Sequence, residues 1–239
     1  MKKNFQKMII DLNQGIFSHK SLEKIYDYII IGSGPASAIL LNNLIKTKKK
    51  ILIVERGGYK NKSSNNLMSD NFNIKKNSRY FGVGGTSNSW SQIYSLLSKS
   101  EMQNFNYKNI WPLSHSDLLK WCKKVGPKYK FKIKQLGSEH ILKNDFYLRK
   151  FIEIKKPLRF SKYFKKKGFD MLINCKVQYV DEMNKFCSLS FNYKNKTKSI
   201  YSKNIIICAG GIESNLIILN SLKTKKLKNL KNKKFVGRY

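Results

Sequence analysis

Arginine, histidine and cysteine are scarce in this chain of 239 residues, and long apolar runs are missing. The four cysteines are Cys122, Cys175, Cys187 and Cys208, and none forms a C-x-x-C pair or sits at zinc-site spacing from His19, His115 or His140. That pattern argues against a zinc module or a dithiol redox motif and predicts buried, inert thiols. No segment reaches the roughly 18 uninterrupted apolar residues that a membrane helix needs. The opening residues carry only a short apolar patch around Met8-Ile9-Ile10, without the longer run and small-residue cleavage site of a secretory signal. These absences predict a soluble, cytoplasmic chain with no transmembrane segment.

Acidic residues are also few, 14 against 48 basic ones, for a net charge of +34. A charge of that size suits nucleic acid or an anionic membrane surface. Only five of the basic residues, at 56, 79, 149, 159 and 238, are arginine, the favoured reader of base edges and bidentate phosphates. The 43 lysines are spread over the whole length, with clusters at 48–50, 165–167 and 223–234. A solvated lysine surface with no specific nucleic-acid partner is therefore expected, and a polyanion or anionic-lipid surface is the alternative that the composition leaves open. With 41% hydrophobic and 13% aromatic residues, the chain can bury a core as one large domain or two small ones.

Residues 1–24 read as an N-terminal arm. Tyr26-Asp27-Tyr28-Ile29-Ile30-Ile31 is a β-branched and aromatic run, suited to a strand covered on both faces. Gly32 to Pro35 break it, and Ile39, Leu40, Leu44 and Ile45 then fall at helical spacing, with Pro35 tolerated in the first turn. Ile51 to Val54 form a second buried-type strand ending at Glu55. This is a βαβ unit whose strands should be parallel neighbours. Residues 57–79 read as a long polar loop. Helices are expected at 114–125, capped by Ser114 or Ser116, and at 139–153. From Met171 onward alternating apolar positions predict antiparallel strands with turns at 181–185 and 192–198, and Asn204 to Ala209 form a further buried strand leading into a helix through Gly210-Gly211.

Gly32-Ser33-Gly34-Pro35-Ala36-Ser37 follows a strand and opens a helix. In such a turn the first glycine makes the bend, the second lets backbone approach a pyrophosphate, and free N–H groups at the helix start bind the anion. Ser37 stands where a third glycine often does and is small enough for close helix–strand packing. Glu55 lies 21 residues past Gly34, placed to accept hydrogen bonds from an adenosine ribose. Strand, turn, helix and acid in register predict dinucleotide binding. The unit does not by itself distinguish FAD from NAD, although the absence of a second G-x-G-x-x-G argues against an FAD/NAD(P)H reductase.

Four segments in order resemble the glucose–methanol–choline (GMC) oxidoreductases: Tyr26 to Gly58; Gly84-Gly85-Thr86-Ser87-Asn88-Ser89-Trp90; Trp111-Pro112-Leu113-Ser114 with Asp117-Leu118; and Ile205 to Leu219 around Ala209-Gly210-Gly211-Ile212-Glu213-Ser214. Val236-Gly237-Arg238-Tyr239 is similar to the segment leading into that family's second half, and Met8 to Leu12 to the start of bacterial members. The resemblance implies an α/β fold: a Rossmann-like FAD-binding domain with a parallel sheet plus an antiparallel β-meander, and an incomplete substrate domain. Its FAD-binding parts would be 25–110 and 171–222, with an intermediate helical or cap region at 111–170 and a basic tail at 223–239 leading to a missing C-terminal half.

What the resemblance implies for the site is an FAD cradle. Gly32, Ser33, Gly34, Pro35, Ala36 and Ser37 would surround the pyrophosphate, with Glu55 and Arg56 on the adenosine side. Gly84, Gly85, Thr86, Asn88 and Trp90 would pass near the flavin and its phosphates. The backbone of Val177 would meet the adenine, and Ala209 and Gly210 would close over the cofactor. Trp90 and Trp111 are also readable as core residues. Some relatives attach FAD through a histidine where this chain has Ser89, which implies non-covalent FAD here.

The same resemblance implies oxidation of the CH–OH group of a small-molecule alcohol, sugar or polyol, with the electron acceptor unspecified. The family's catalytic histidines lie in its C-terminal part, and none of His19, His115 or His140 matches their motif, so no catalytic base and no metal ligand is assigned. The chain reads as a fragment, served by a complementary C-terminal chain or inactive alone.

Overall fold

The computed structural model describes residues 8–14, 17, 22, 25–60, 62–63, 67–69, 72–74, 79–90, 93–94, 96–103, 113–129, 139–142, 146–149, 152–153, 158–230 and 233–237. The chain divides into two compact units, one formed by 1–89 with 159–239 and the other by 90–158. In chain order the first contains β1 (Ile9–Asp11), β2 (Tyr26–Ile31), α1 (Pro35–Leu44), β3 (Ile51–Val54), and the short β4 (Lys62–Ser63), β5 (Leu67–Ser69), β6 (Phe72–Ile74) and β7 (Tyr80–Phe81). The second contains β8 (Ile93–Tyr94), α2 (Lys99–Gln103), α3 (His115–Val125), β9 (Glu139–Leu142), β10 (Phe146–Arg149) and β11 (Ile152–Glu153). The chain then returns to the first unit through β12 (Asp170–Ile173), β13 (Val177–Glu182), β14 (Cys187–Tyr193), β15 (Lys196–Ile207) and α4 (Gly210–Lys223).

Seven strands make one sheet in the order β1-β12-β3-β2-β15-β14-β13. The first five run parallel, and β14 and β13 continue as an antiparallel meander. The β-branched run of β2 is central because both its faces are covered, and Ile29, Ile30 and the whole of β3 are buried. Pro35 takes the first position of α1, where its missing N–H costs nothing, and Ser37, Ala38 and Leu41 are its buried positions. The expected βαβ unit is thus present, with β2 and β3 parallel neighbours in register from Tyr28–Ile51 to Ile31–Val54.

Other expectations need correcting. The N-terminal arm contributes a strand: β1 pairs parallel with β12, and the Met8 amide and the buried Tyr26 hydroxyl both donate to Asp170, at 3.1 and 2.9 Å. The unpaired outer edge of β12 supplies the hydrogen-bonding partner that draws this segment in. The strand from Met171, expected to be antiparallel, is parallel, because the returning chain enters alongside β3 with Met171, Leu172 and Ile173 all buried. Asn204 to Ala209 is no separate strand; β15 runs unbroken for 12 residues from the meander into the parallel sheet. It is launched by a two-residue turn in which Lys194 and Asn195 both have positive φ, which fits the twist of a tight hairpin. Within 57–79, read as loop, lie the short pair β5–β6 and the strand β4, which pairs with β7 just beyond it.

In the second unit, α3 starts where expected: the Ser114 hydroxyl accepts from the Asp117 amide and the Asp117 carboxylate accepts from the Ser114 amide, a capping box. The helix expected at 139–153 is absent. β9 and β10 pair antiparallel, and β11 pairs with β8. Ile141, Phe146 and Leu148 on either side of Asn144-Asp145 give strand alternation around turn formers, which outweighed the weak helical spacing. Trp111, Pro112, His19, Arg238 and Tyr239 lie outside the described residues. Among the described residues no helix is long and apolar enough to cross a membrane.

Ser37, in the first turn of α1, is fully buried and its hydroxyl has no hydrogen-bond partner among the described residues. Removing an unsatisfied buried hydroxyl without changing shape relieves its desolvation cost. Ser37→Ala should therefore raise stability by about 1 kcal/mol, seen as a Tm increase of about 3 °C in a chain of this size. A lower Tm on thermal unfolding would contradict this account.

Candidate functional site

At the carboxyl ends of β2, β3 and β15 lies a cavity of about 770 Å³, reached by Ile31, Val54 and Ile207. β2 lies between its parallel neighbours β3 and β15, and the cavity opens outside the carboxyl ends of these three strands, where open α/β sheets bind ligands. The floor is the turn from Gly32 to Ala36.

Gly32 has φ +96, and a Cβ there would stand 2.5 Å from the carbonyl oxygen of Cys208, so only glycine lets this turn pack against the end of β15. Its amide donates to the Val54 carbonyl at 2.7 Å, and the Ser33 amide to Glu55 at 2.9 Å. The first bond across the start of α1 runs from the Ala38 amide to the Gly34 carbonyl. The amides of Gly34, Ala36 and Ser37 precede it and have no intrahelical acceptor, while Pro35 has no N–H. Gly34 itself looks onto open space, since a Cβ there meets nothing within 4 Å. The anion-binding potential of the turn therefore belongs to Gly34 and Ala36, which line the cavity; Ser37 is fully buried, and Gly32 and Ser33 shape the turn.

Glu55 lines the cavity but does not present the ribose acceptor expected of it. The residue is buried, with 5% exposure. One oxygen accepts from the Ser33 amide at 2.9 Å and the Ser33 hydroxyl at 2.6 Å; the other accepts from the amides of Gly57 at 2.8 Å and Gly82 at 3.1 Å. Four donors fill the acceptor capacity of a carboxylate. Burial raises the Glu55 carboxyl above its usual value, opposed by these donors. The residue is a staple joining the glycine turn to the segments around Gly57 and Gly82.

Of the other expected site residues, Arg56, Gly85, Thr86, Val177, Ala209 and Gly210 line the cavity. Ser37 has its side chain buried beneath the turn. Gly84 is spent on packing, its amide donating to the Ser33 carbonyl at 3.0 Å and hydroxyl at 3.2 Å. Asn88 donates to the Val83 carbonyl at 2.8 Å, outside the cavity lining. Trp90 belongs to the second unit, where its indole donates to the Leu158 carbonyl at 3.3 Å. His115 and His140 also belong to the second unit, with the His115 ring 3.2 Å from the Leu97 carbonyl. The four cysteines are free; burial pushes the Cys175 and Cys208 thiols up, which suits inert groups.

Three charged residues of the wall escaped the sequence reading. Arg79 and Glu213 line the cavity together with Arg56, as does Lys176. Glu213, in the first turn of α4, takes Arg56 on one oxygen and Arg79 on the other, each at 2.8 Å. The Arg56 guanidinium lies 3.9 Å from the centroid of the Phe81 ring, a cation–π contact. The only signal in the sequence was the rarity of arginine itself, with two of five standing on either side of the loop at 57–78. Among the described residues no cluster of His, Cys, Asp and Glu could hold a metal ion.

The fold is α/β and Rossmann-like, a mostly parallel sheet extended by antiparallel strands. Its likeness to solved structures includes pyridoxine 4-oxidase from Mesorbium loti, at 13% identity and a TM-score of 0.51 over 80% of this chain and 51% of that one. A fungal aryl-alcohol oxidase matches at 13% identity and a TM-score of 0.55, over 82% and 48% of the two chains. This chain thus spans about half the length of those proteins. No family model and no curated protein matches it.

Glu55→Gln would set an NH₂ group against amide donors and should cost about 2–3 kcal/mol. Because the folded-state value of Glu55 is raised, the wild type gains most relative to this variant at low pH, and the gap narrows as pH climbs above the usual value of 4.5. Urea unfolding at pH 5 and pH 8 measures both, and a gap that widens with pH would reverse the assigned cause.

Proposed function

We propose that this chain binds FAD non-covalently and forms the cofactor-holding part of a flavin-dependent oxidoreductase acting on CH–OH groups of an alcohol, sugar or polyol. The observation that carries the proposal is the pair of amides at Gly34 and Ala36, ahead of the first bond of α1, on residues that line a cavity of about 770 Å³. Amides at a helix start hold a diphosphate through hydrogen bonds and the helix dipole, and Arg56, Arg79 and Lys176 add positive charge around it. Val177 would take the adenine against its backbone, Ala209 and Gly210 would close over the ligand, and Gly85 and Thr86 would border the flavin side. FAD rather than NAD is favoured by the GMC-like order of the segments at 26–58, 84–90 and 205–219, and by neighbours whose names describe oxidases of pyridoxine and aryl alcohols. Ser89, in place of a linking histidine, supports non-covalent attachment.

When bound, FAD supplies the group that accepts a hydride. This chain's own residues hold the diphosphate, orient the adenosine end and border the ring. Among the described residues the cavity's carboxylates, Glu55 and Glu213, are both held by protein donors, and we assign the proton-accepting role to a complementary C-terminal segment or chain.

Titration with FAD should quench flavin fluorescence, and heat denaturation of the complex should release all flavin to the supernatant. Gly34→Asp should weaken FAD binding on the order of 100-fold, because an anion would face the diphosphate. Apo stability should stay unchanged, since φ −76 is ordinary for any residue and Asp suits a helix N-cap. Undiminished FAD affinity in this variant would overturn the assignment of the turn.

A further inference from the structure

The carboxylate expected to receive the adenosine ribose is fully committed elsewhere. Glu55 holds four protein donors from three segments in a buried site, and freeing an oxygen for a ligand would leave amides of Ser33, Gly57 or Gly82 unpaired. A ribose nonetheless needs an acceptor for its vicinal hydroxyls if the diphosphate sits on the amides of Gly34 and Ala36.

Among the described residues lining the cavity, the other carboxylate is Glu213. Each of its oxygens accepts one arginine N–H at 2.8 Å, from Arg56 and Arg79, which leaves acceptor capacity on both. Its side chain keeps 18% exposure, unlike that of Glu55. The two arginines fix it from opposite oxygens, and Phe81 backs Arg56, so the carboxylate is oriented before a ligand arrives. A carboxylate with one free acceptor position on each oxygen matches a cis diol, which offers two O–H donors side by side.

We infer that Glu213, held by Arg56 and Arg79, is the receptor for the ribose diol of an adenosine diphosphate ligand, and that Glu55 is a positioning residue for the glycine turn. This rests on the reading of the cavity as a nucleotide site. It makes the diol a specificity determinant read from α4, across the crevice from the strand that usually carries that acid.

Calorimetric titration with ADP and with 2′,3′-dideoxy-ADP tests it, because both carry the same diphosphate and adenine. The wild type should prefer ADP by about tenfold or more, the loss expected for hydrogen bonds to a charged group. In Glu213→Ala both nucleotides should bind with nearly equal affinity, even if release of the two arginines tightens both. Glu213→Gln, which keeps the shape, should fall between. Glu55→Gln, if it folds, should retain the preference. A preference for ADP that persists in Glu213→Ala, or a wild type that binds both equally, overturns the inference and leaves the nucleotide site standing. Failure of the wild type to bind either nucleotide overturns the site and the inference with it.

Discussion

The buried carboxylate of Glu55 is the constraint on which the site depends. It draws the glycine turn, the backbone at Gly57 and the backbone at Gly82 onto one group through four hydrogen bonds. The approach is close: a Cβ at Gly57 would lie 2.5 Å from the Gly82 nitrogen. In a low-dielectric interior such a network is strong when every member is satisfied and costly when one is not. By taking the Ser33 amide inward, Glu55 also decides which amides of the turn remain for a ligand. The segment around Gly82 to Gly84 is fastened to the same point, its Gly84 amide donating to Ser33.

The chain's charge divides by chemistry. Lysine covers the molecule, whereas two of the five arginines meet in the cavity wall, where planar guanidinium groups can grip a carboxylate and stack on a ring. Glu213 offsets part of their charge and holds them in place. The cavity is thus basic through ordered arginines, a different device from the diffuse positive field of the surface.

Much of the first unit was legible in the residues. Tyr26 to Ile31 and Ile51 to Val54 could be read as buried parallel strands because β-branched runs of that length suit a sheet covered on both faces. The turn between them could be read because glycine and proline mark backbone geometry locally. Less was legible where pairing is long-range. Ile9–Asp11 gained strand character from a partner 162 residues away, and β12 turned parallel because of where the chain re-entered the sheet. The segment 139–153 shows the limit of short apolar patterns, in which helical and strand spacings overlap until a partner strand decides.

For the site, the sequence by itself determined that a glycine turn opens a helix after a buried strand and that an acid ends the next one, because turn geometry and β-branched burial are properties of adjacent residues. Only the tertiary structure decided the roles. Glu55 points inward because three backbone segments converge on it, and Glu213 stands in the cavity because β15 lies beside β2 and aims the first turn of α4 at Arg56 and Arg79. Hydrogen-bond partners separated by 27 to 157 residues depend on which strands become neighbours, and spacing along the chain carries no record of that.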